Sequence, residues 1–316
     1  MDVIKQYNSV DLFKFIMAFC VVTIHTNVIG IIDNILIRRV AFMIVHCAVP
    51  FFFIVSSYFL SIKDFSNWGG YFEKLIKLYV KWSLIHFIVS GIINENFSLN
   101  SLLDFAHQLV FIGYAHLWYI WGVLIVLPIL LQLLRKKKLK ASHFLILSFS
   151  SYILLRLVLF YGYHFNLPYS KFVYAAMMIV SIKNILIAMT YLSMGIFIAN
   201  YNITPLLRNS CILVGVLIAL LNIDKSGNEI SLYAPLISFG LFPVVKEIRM
   251  SGSKKIFKWF RQMSSYIYFI HGIVICLVAK ILIMPSIENW FSVVIITFII
   301  SSLIVYIKSK GVLNWI

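Results

Sequence analysis

Three side chains that a lipid-facing helix does not need share one apolar stretch near the N-terminus. Asp11, Lys14 and His25 lie between Asp11 and Val28, a run otherwise apolar enough to cross a bilayer as a helix. Lys14 and His25 are eleven positions apart, so after about three turns they return to one helix face, roughly 16 Å apart along the axis. Asp11 sits one turn before Lys14 on nearly the same stripe. Charges inside a bilayer cost several kcal/mol and face a protein interior or a wet cavity. An imidazole near one membrane face, with an unperturbed pKa of ~6.5, can take a proton from an alcohol. The stripe therefore points to general-base chemistry at His25, with Lys14 and Asp11 as its charged companions. A second reading takes Asp11 and Lys14 as interfacial anchors and His25 as a hydrogen-bonded packing residue.

The other polar residues at membrane depth are few. Lys74, Lys77 and Lys81 recur at i, i+3 and i+7 and form a basic stripe, suited to a phosphorylated ligand such as coenzyme A or to anionic lipid headgroups. Pro50 falls inside an apolar run and is followed by Ser56 and Ser57; a packing kink is expected there. His116, Trp118 and Tyr119 open a later apolar run, where aromatic residues form an interfacial belt and the imidazole suits a sugar hydroxyl. His271 follows Ser264, Ser265, Tyr266 and Tyr268; at the mid-membrane or inner depth expected for it, an imidazole needs a partner. Cys20, Cys47, Cys211 and Cys276 all lie in apolar runs without metal-ligand spacing and read as packing thiols. The sequence shows no nucleophile elbow, Walker loop, dinucleotide fingerprint or zinc pattern.

Positioning these residues is the task of a membrane-spanning all-α chain. Of 316 residues, 62% are hydrophobic and only 12% charged, and the mean hydropathy is +0.96, well outside the range of soluble domains. Apolar runs near 10–31, 40–61, 76–93, 116–134, 143–161, 183–200, 209–224, 229–247, 265–284 and 289–307 are ten candidate spans. The net charge of +16 could suggest nucleic acid, but here it follows the membrane: with the N-terminus inside, nineteen of the 27 Lys and Arg residues fall on the inner side, five on the outer side, and Lys14, Arg156 and Lys280 within spans. That bias orients a polytopic protein with both termini cytoplasmic. The first apolar run is too long for a signal peptide and acts as its own insertion signal. Residues 94–115 form a long outer segment, with 101–112 as an interfacial amphipathic helix; residues 162–182, with His164, form a second, and 248–264 a basic inner loop. Residues 1–316 read as one membrane domain.

Taken together, these stretches resemble the integral-membrane acyltransferase-3 family. Its first-helix pattern of a basic residue, ten residues and a histidine is met by Lys14 and His25. Its Phe-rich segment ending Ser-Gly-Tyr/Phe-Leu is met by Pro50 to Leu60, except that Ser57 replaces the glycine. Lys74 and Lys77 stand where the family has a basic pair, commonly arginine. A His-Leu-Trp segment is met at His116 to Tyr119, and a late Ser-x-x-Ile-Tyr-x-x-His pattern at Ser265, Tyr268 and His271. With no further domain following, the chain resembles the stand-alone form.

The resemblance implies an O-acyltransferase, most commonly an O-acetyltransferase, of the bacterial inner membrane. Acetyl-CoA or another acyl-CoA would serve as donor co-substrate with its phosphates near Lys74 and Lys77. A hydroxyl of a surface polysaccharide or its lipid-linked precursor, such as O-antigen or exopolysaccharide, would accept the acyl group. His25 would be the base, Lys14 would hold the donor or counter Asp11, and His116, Trp118, Tyr119 and His271 would meet the acceptor. The expected partners are acyl-CoA, a carbohydrate and membrane lipid, with no metal and no nucleic acid. A polysaccharide exporter or flippase is the alternative from another class, and a structural membrane subunit a third.

Overall fold

The computed structural model describes residues 7–62, 68–164, 181–221, 231–282 and 285–311, with the side chains of 158–164 set aside. Most of the segment 162–182, with the His164 side chain, lies outside the described residues, as do Lys5, Lys63, Lys171 and Lys225. The described residues form twelve α-helices and no strand: α1 (Asn8–Thr26), α2 (Ile35–His46), α3 (Ala48–Ser61), α4 (Trp68–Asn94), α5 (Leu99–His107), α6 (Trp118–Arg135), α7 (His143–His164), α8 (Ile182–Asn200), α9 (Pro205–Leu220), α10 (Tyr233–Glu247), α11 (Lys254–Val278) and α12 (Ile287–Ser309). Side-chain caps start several of them. Asn34 accepts from the backbone N–H groups of Leu36 and Ile37, and Ser98, Ser181, Ser253 and Ser286 cap α5, α8, α11 and α12.

Seven helical segments among the described residues are long and apolar enough to cross a membrane, while His143–Leu157 and Pro205–Leu220 are apolar but shorter. In helical membrane proteins every backbone polar group in lipid must be satisfied within the helix, and the uninterrupted α4, α11 and α12 meet that need. Each of the ten expected spans overlaps a helix or a helix pair among the described residues. The main differences from the sequence reading fall at three places. The span at 40–61 is two helices, broken at Cys47. Pro50 therefore lies in the first turn of α3, where its missing N–H would have no helical partner anyway, and kinks no helix. The carbonyl it cannot serve is that of His46, the last residue of α2. The span expected at 265–284 is α11, Lys254–Val278. Lys254, Lys255, Lys258 and Arg261 thus lie on its first turns and not in a loop, because the Ser253 cap starts the helix before its apolar stretch begins. The amphipathic segment at 101–112 divides into α5 and a π-helical turn, Gln108–Ile112.

The chain folds as two compact units, residues 1–49 with 205–316, and residues 50–204. Both crossing points immediately precede a proline, Pro50 and Pro205. In the first unit α1 packs along α11 and α12, and α9 lies on α10 and α2. In the second, α8 packs between α6 and α7, and α4 lies on α6. Within that unit α3 approaches α8 closely: a Cβ on Gly195 would lie 2.0 Å from Ser57 Oγ and 2.4 Å from the Ile54 carbonyl oxygen. Ser57, the serine where the family pattern has glycine, is accommodated because the glycine stands across from it on α8.

Candidate active site

The first unit gathers Asp11, Lys14, His25 and His271 along two parallel helices. Phe15 of α1 meets Trp259 and Phe260 of α11, with ring centroids 5.5 and 5.1 Å away. Ten residues further along α1, His25 meets His271, their centroids 5.2 Å apart and their planes tilted by 33°. Eleven residues separate Phe260 from His271, so the two helices stay in step over about three turns. The sequence reading put His271 at mid-membrane or in the inner half; the structure sets it level with His25, because α11 begins at Lys254.

At the other end of the stripe, Asp11 is buried, 6% exposed. Arg261 donates to it from Nε at 2.9 Å and from Nη2 at 2.6 Å. This two-pronged contact is the strongest ion-pair geometry available to a carboxylate, and it is what makes a buried charge tolerable at membrane depth. Arg261 reaches back toward the N-terminal end of its helix, the direction in which helical side chains lean. The hydrogen-bonded companion of Asp11 is therefore Arg261 and not Lys14. Lys14, half-buried one turn on, lies within electrostatic reach of both. Sequence reasoning counted Arg261 as a loop charge and missed it.

The two histidines differ in access. His271 is 0% exposed, and its Nδ1 lies 3.1 Å from the Ile267 carbonyl oxygen. A carbonyl only accepts, so Nδ1 carries a proton and Nε2 is the basic nitrogen of the neutral ring. His25 is exposed in the last turn of α1, which closes on Asn27 in the left-handed region at φ 53°. Beside it, Thr23 Oγ1 accepts from Trp290 Nε1 at 3.1 Å, tying α1 to α12. An accessible imidazole backed by a buried one, on helices held by a bidentate ion pair, can exchange a proton with a hydroxyl brought to it.

The second unit holds the remaining candidates. Lys74 and Lys77 are exposed on the first turns of α4, and Lys77 Nζ pairs with Glu73 at 2.6 Å. That acid lowers the net charge of the stripe. His116 is buried against His86, edge to face with centroids 4.5 Å apart. His86 was missed, although it is an imidazole in the middle of an apolar span and so carried the same signal as His25. Trp118 rests against Phe53 at 5.9 Å. The Tyr119 hydroxyl lies 2.7 Å from Ser56 Oγ and donates to the Phe52 carbonyl at 3.2 Å, joining α6 to α3.

An amino-acid racemase of Enterococcus faecalis is 29% identical over 140 residues, which are 42% of this chain and 19% of that protein. The chain thus covers about a fifth of the curated relative it matches. No solved structure matches. The family model described as an acyltransferase domain matches residues 7–307. That match takes in both units and all the candidate residues, and this chain belongs to the acyltransferase-3 family of membrane acyltransferases.

Proposed function

We propose that this protein moves an acyl group, acetyl in the simplest case, from cytoplasmic acyl-CoA to a hydroxyl of a surface polysaccharide or its lipid-linked precursor. The observation that carries the reading is the exposed His25 beside the buried His271, at one end of helices clamped by Asp11 and Arg261 at the other. In this reading His25 removes the proton of the acceptor hydroxyl as its oxygen attacks the thioester carbonyl. The carbon–sulfur bond breaks, the ester forms, and the coenzyme A thiolate recovers a proton. His271 orients His25. Lys14, held near Asp11 and Arg261, supplies positive charge for the donor or for the developing oxyanion. Lys74 and Lys77 hold the phosphates of acyl-CoA from the cytoplasmic side of a bacterial inner membrane, both termini being cytoplasmic by the charge bias. His116, Trp118 and Tyr119 line the approach of the acceptor. Racemase chemistry is not carried over, since the aligned part is 19% of that relative.

The test compares surface polysaccharide from cells with the natural protein and with His25→Ala, read by proton NMR for ester-linked acyl signals. Loss of those signals with unchanged polymer yield is expected. Loss of the surface polymer itself, with glycan retained inside, would support the exporter instead. Acyl signals unchanged in the variant would remove His25 as the base.

A further inference from the structure

The second unit contains a pocket of about 240 Å³ where the end of α4, the start of α5 and the turn before α6 come together. Its walls carry two chemistries. One is aromatic: Phe105 lies stacked on Phe87 with centroids 4.4 Å apart, and Tyr114 meets Phe105 edge-on at 4.9 Å. The other is a set of hydrogen-bonding groups: Asn94, Asp104 and Gln108 line the same space. These are held by their own helices. Gln108 Nε2 donates to Asp104 Oδ2 at 2.7 Å, and Asn94 Nδ2 to Ser90 Oγ at 3.3 Å. Each contact uses one polar atom and leaves a second on the same side chain for a ligand. No Lys or Arg is among the lining residues.

Aromatic faces beside fixed amides and one carboxylate match a sugar ring, whose C–H face packs on π-systems while its hydroxyls both donate and accept. The volume lies below the roughly 300–1,000 Å³ of pockets for drug-sized ligands, so the fit is one ring and not an extended chain. An anionic ligand would meet Asp104 with no cation to offset it. A coenzyme A phosphate is thereby disfavoured, and so is an acidic sugar.

We propose that this pocket is a subsite for one uncharged sugar ring of the acceptor glycan, recognised by Asp104, Gln108 and Asn94 against the aromatic wall of Phe87 and Tyr114. The proposal rests on the polysaccharide reading above and adds to it a place and a preference. The test uses the full-length protein in nanodiscs with fragments of the host's own surface polysaccharide, deacylated by mild base and separated into neutral and acidic pools. Binding is followed by saturation-transfer NMR and acyl transfer from acetyl-CoA by ester formation. Asp104→Ala with Gln108→Ala is expected to weaken binding of neutral fragments and raise their KM by about tenfold, the loss of one or two ligand hydrogen bonds. The KM for acetyl-CoA should stay within twofold. Asp104→Asn, which keeps the shape and removes the charge, should allow acidic fragments to bind. Unchanged neutral-fragment affinity in both variants would overturn the pocket, as would wild-type preference for the acidic pool. Binding lost in the variants, with no transfer even by the natural protein, would keep the pocket and remove the acyltransfer reading.

Discussion

A pair of histidines meets in each unit, and the two pairs have opposite surroundings. His25 and His271 are 5.2 Å apart with one ring exposed and the other buried, on helices that also carry Asp11, Lys14 and Arg261. His86 and His116 are closer, 4.5 Å, and both are buried; the ion pair on the helix of His86, Glu73–Lys77, is exposed nearer the start of α4. Residue type and pairing are the same; access and charge differ. A ring that exchanges protons must reach its substrate, whereas a ring packed edge to face against another contributes first of all shape and polarity to a wall. The comparison separates the residue expected to act as a base from those expected to shape the acceptor's approach.

The largest effect should come from His25→Ala, which removes the exposed member of the first pair. Positioned acid–base groups contribute about 10²–10⁴-fold, so acyl transfer measured with acetyl-CoA should fall by at least ~100-fold at unchanged thermal stability. In contrast, His116→Phe keeps the wall and loses its polarity. Its acceptor KM should rise severalfold while kcat holds, and an equal collapse of kcat would erase the distinction between the pairs.

Next comes the ion pair. Arg261→Ala leaves the Asp11 carboxylate buried and uncompensated, a change that costs about 3–5 kcal/mol in comparable sites. Thermal unfolding in detergent should show it. Asp11→Leu with Arg261→Leu removes both charges and should recover most of that loss. If the double variant is stable yet inactive, the pair serves the chemistry of Lys14 and His25 and not only the fold.

The second unit offers a smaller test of packing. Gly195→Ala forces a methyl group against Ser57 Oγ and the Ile54 carbonyl, and overpacking of this kind costs about 1–3 kcal/mol. Ser57→Gly in the same chain relieves the side-chain part of the clash. Partial recovery of the melting temperature is expected, because the Ile54 backbone contact remains.

The smallest effect on stability belongs to the exposed Glu73–Lys77 pair, an i,i+4 contact that water and salt screen. Lys77→Ala should leave the melting temperature within a degree or two. With Lys74→Ala added, the KM for acyl-CoA should rise. An unchanged KM would leave the stripe to lipid headgroups.

Much of the helical frame was legible in the sequence. A segment of about twenty apolar residues has one low-energy form in a bilayer, so hydropathy alone marks where the helices lie. The boundaries were less legible. Hydropathy cannot see that Ser253 starts α11 among charged residues, nor that Pro50 belongs to the start of α3 and not to its middle. The candidate site was partly legible, since an embedded Lys14 or His25 is costly enough to notice in isolation. His86 carried the same signal and Arg261 did not. A basic residue beside other basic residues looks like a cytoplasmic loop until a carboxylate is found against it.

By itself, then, the sequence determined that this is an all-helical membrane chain and which embedded groups call for explanation. Helices close hydrogen bonds four residues apart, and the cost of placing a charge in lipid belongs to that one residue; both are local quantities. Only the tertiary structure decided the partners. Asp11 and Arg261 are 250 residues apart in the chain, and His25 and His271 almost as far. Which faces of α1 and α11 meet is settled by packing along their whole length, from Phe15 against Trp259 and Phe260 to His25 against His271, and no local pattern in either segment encodes it.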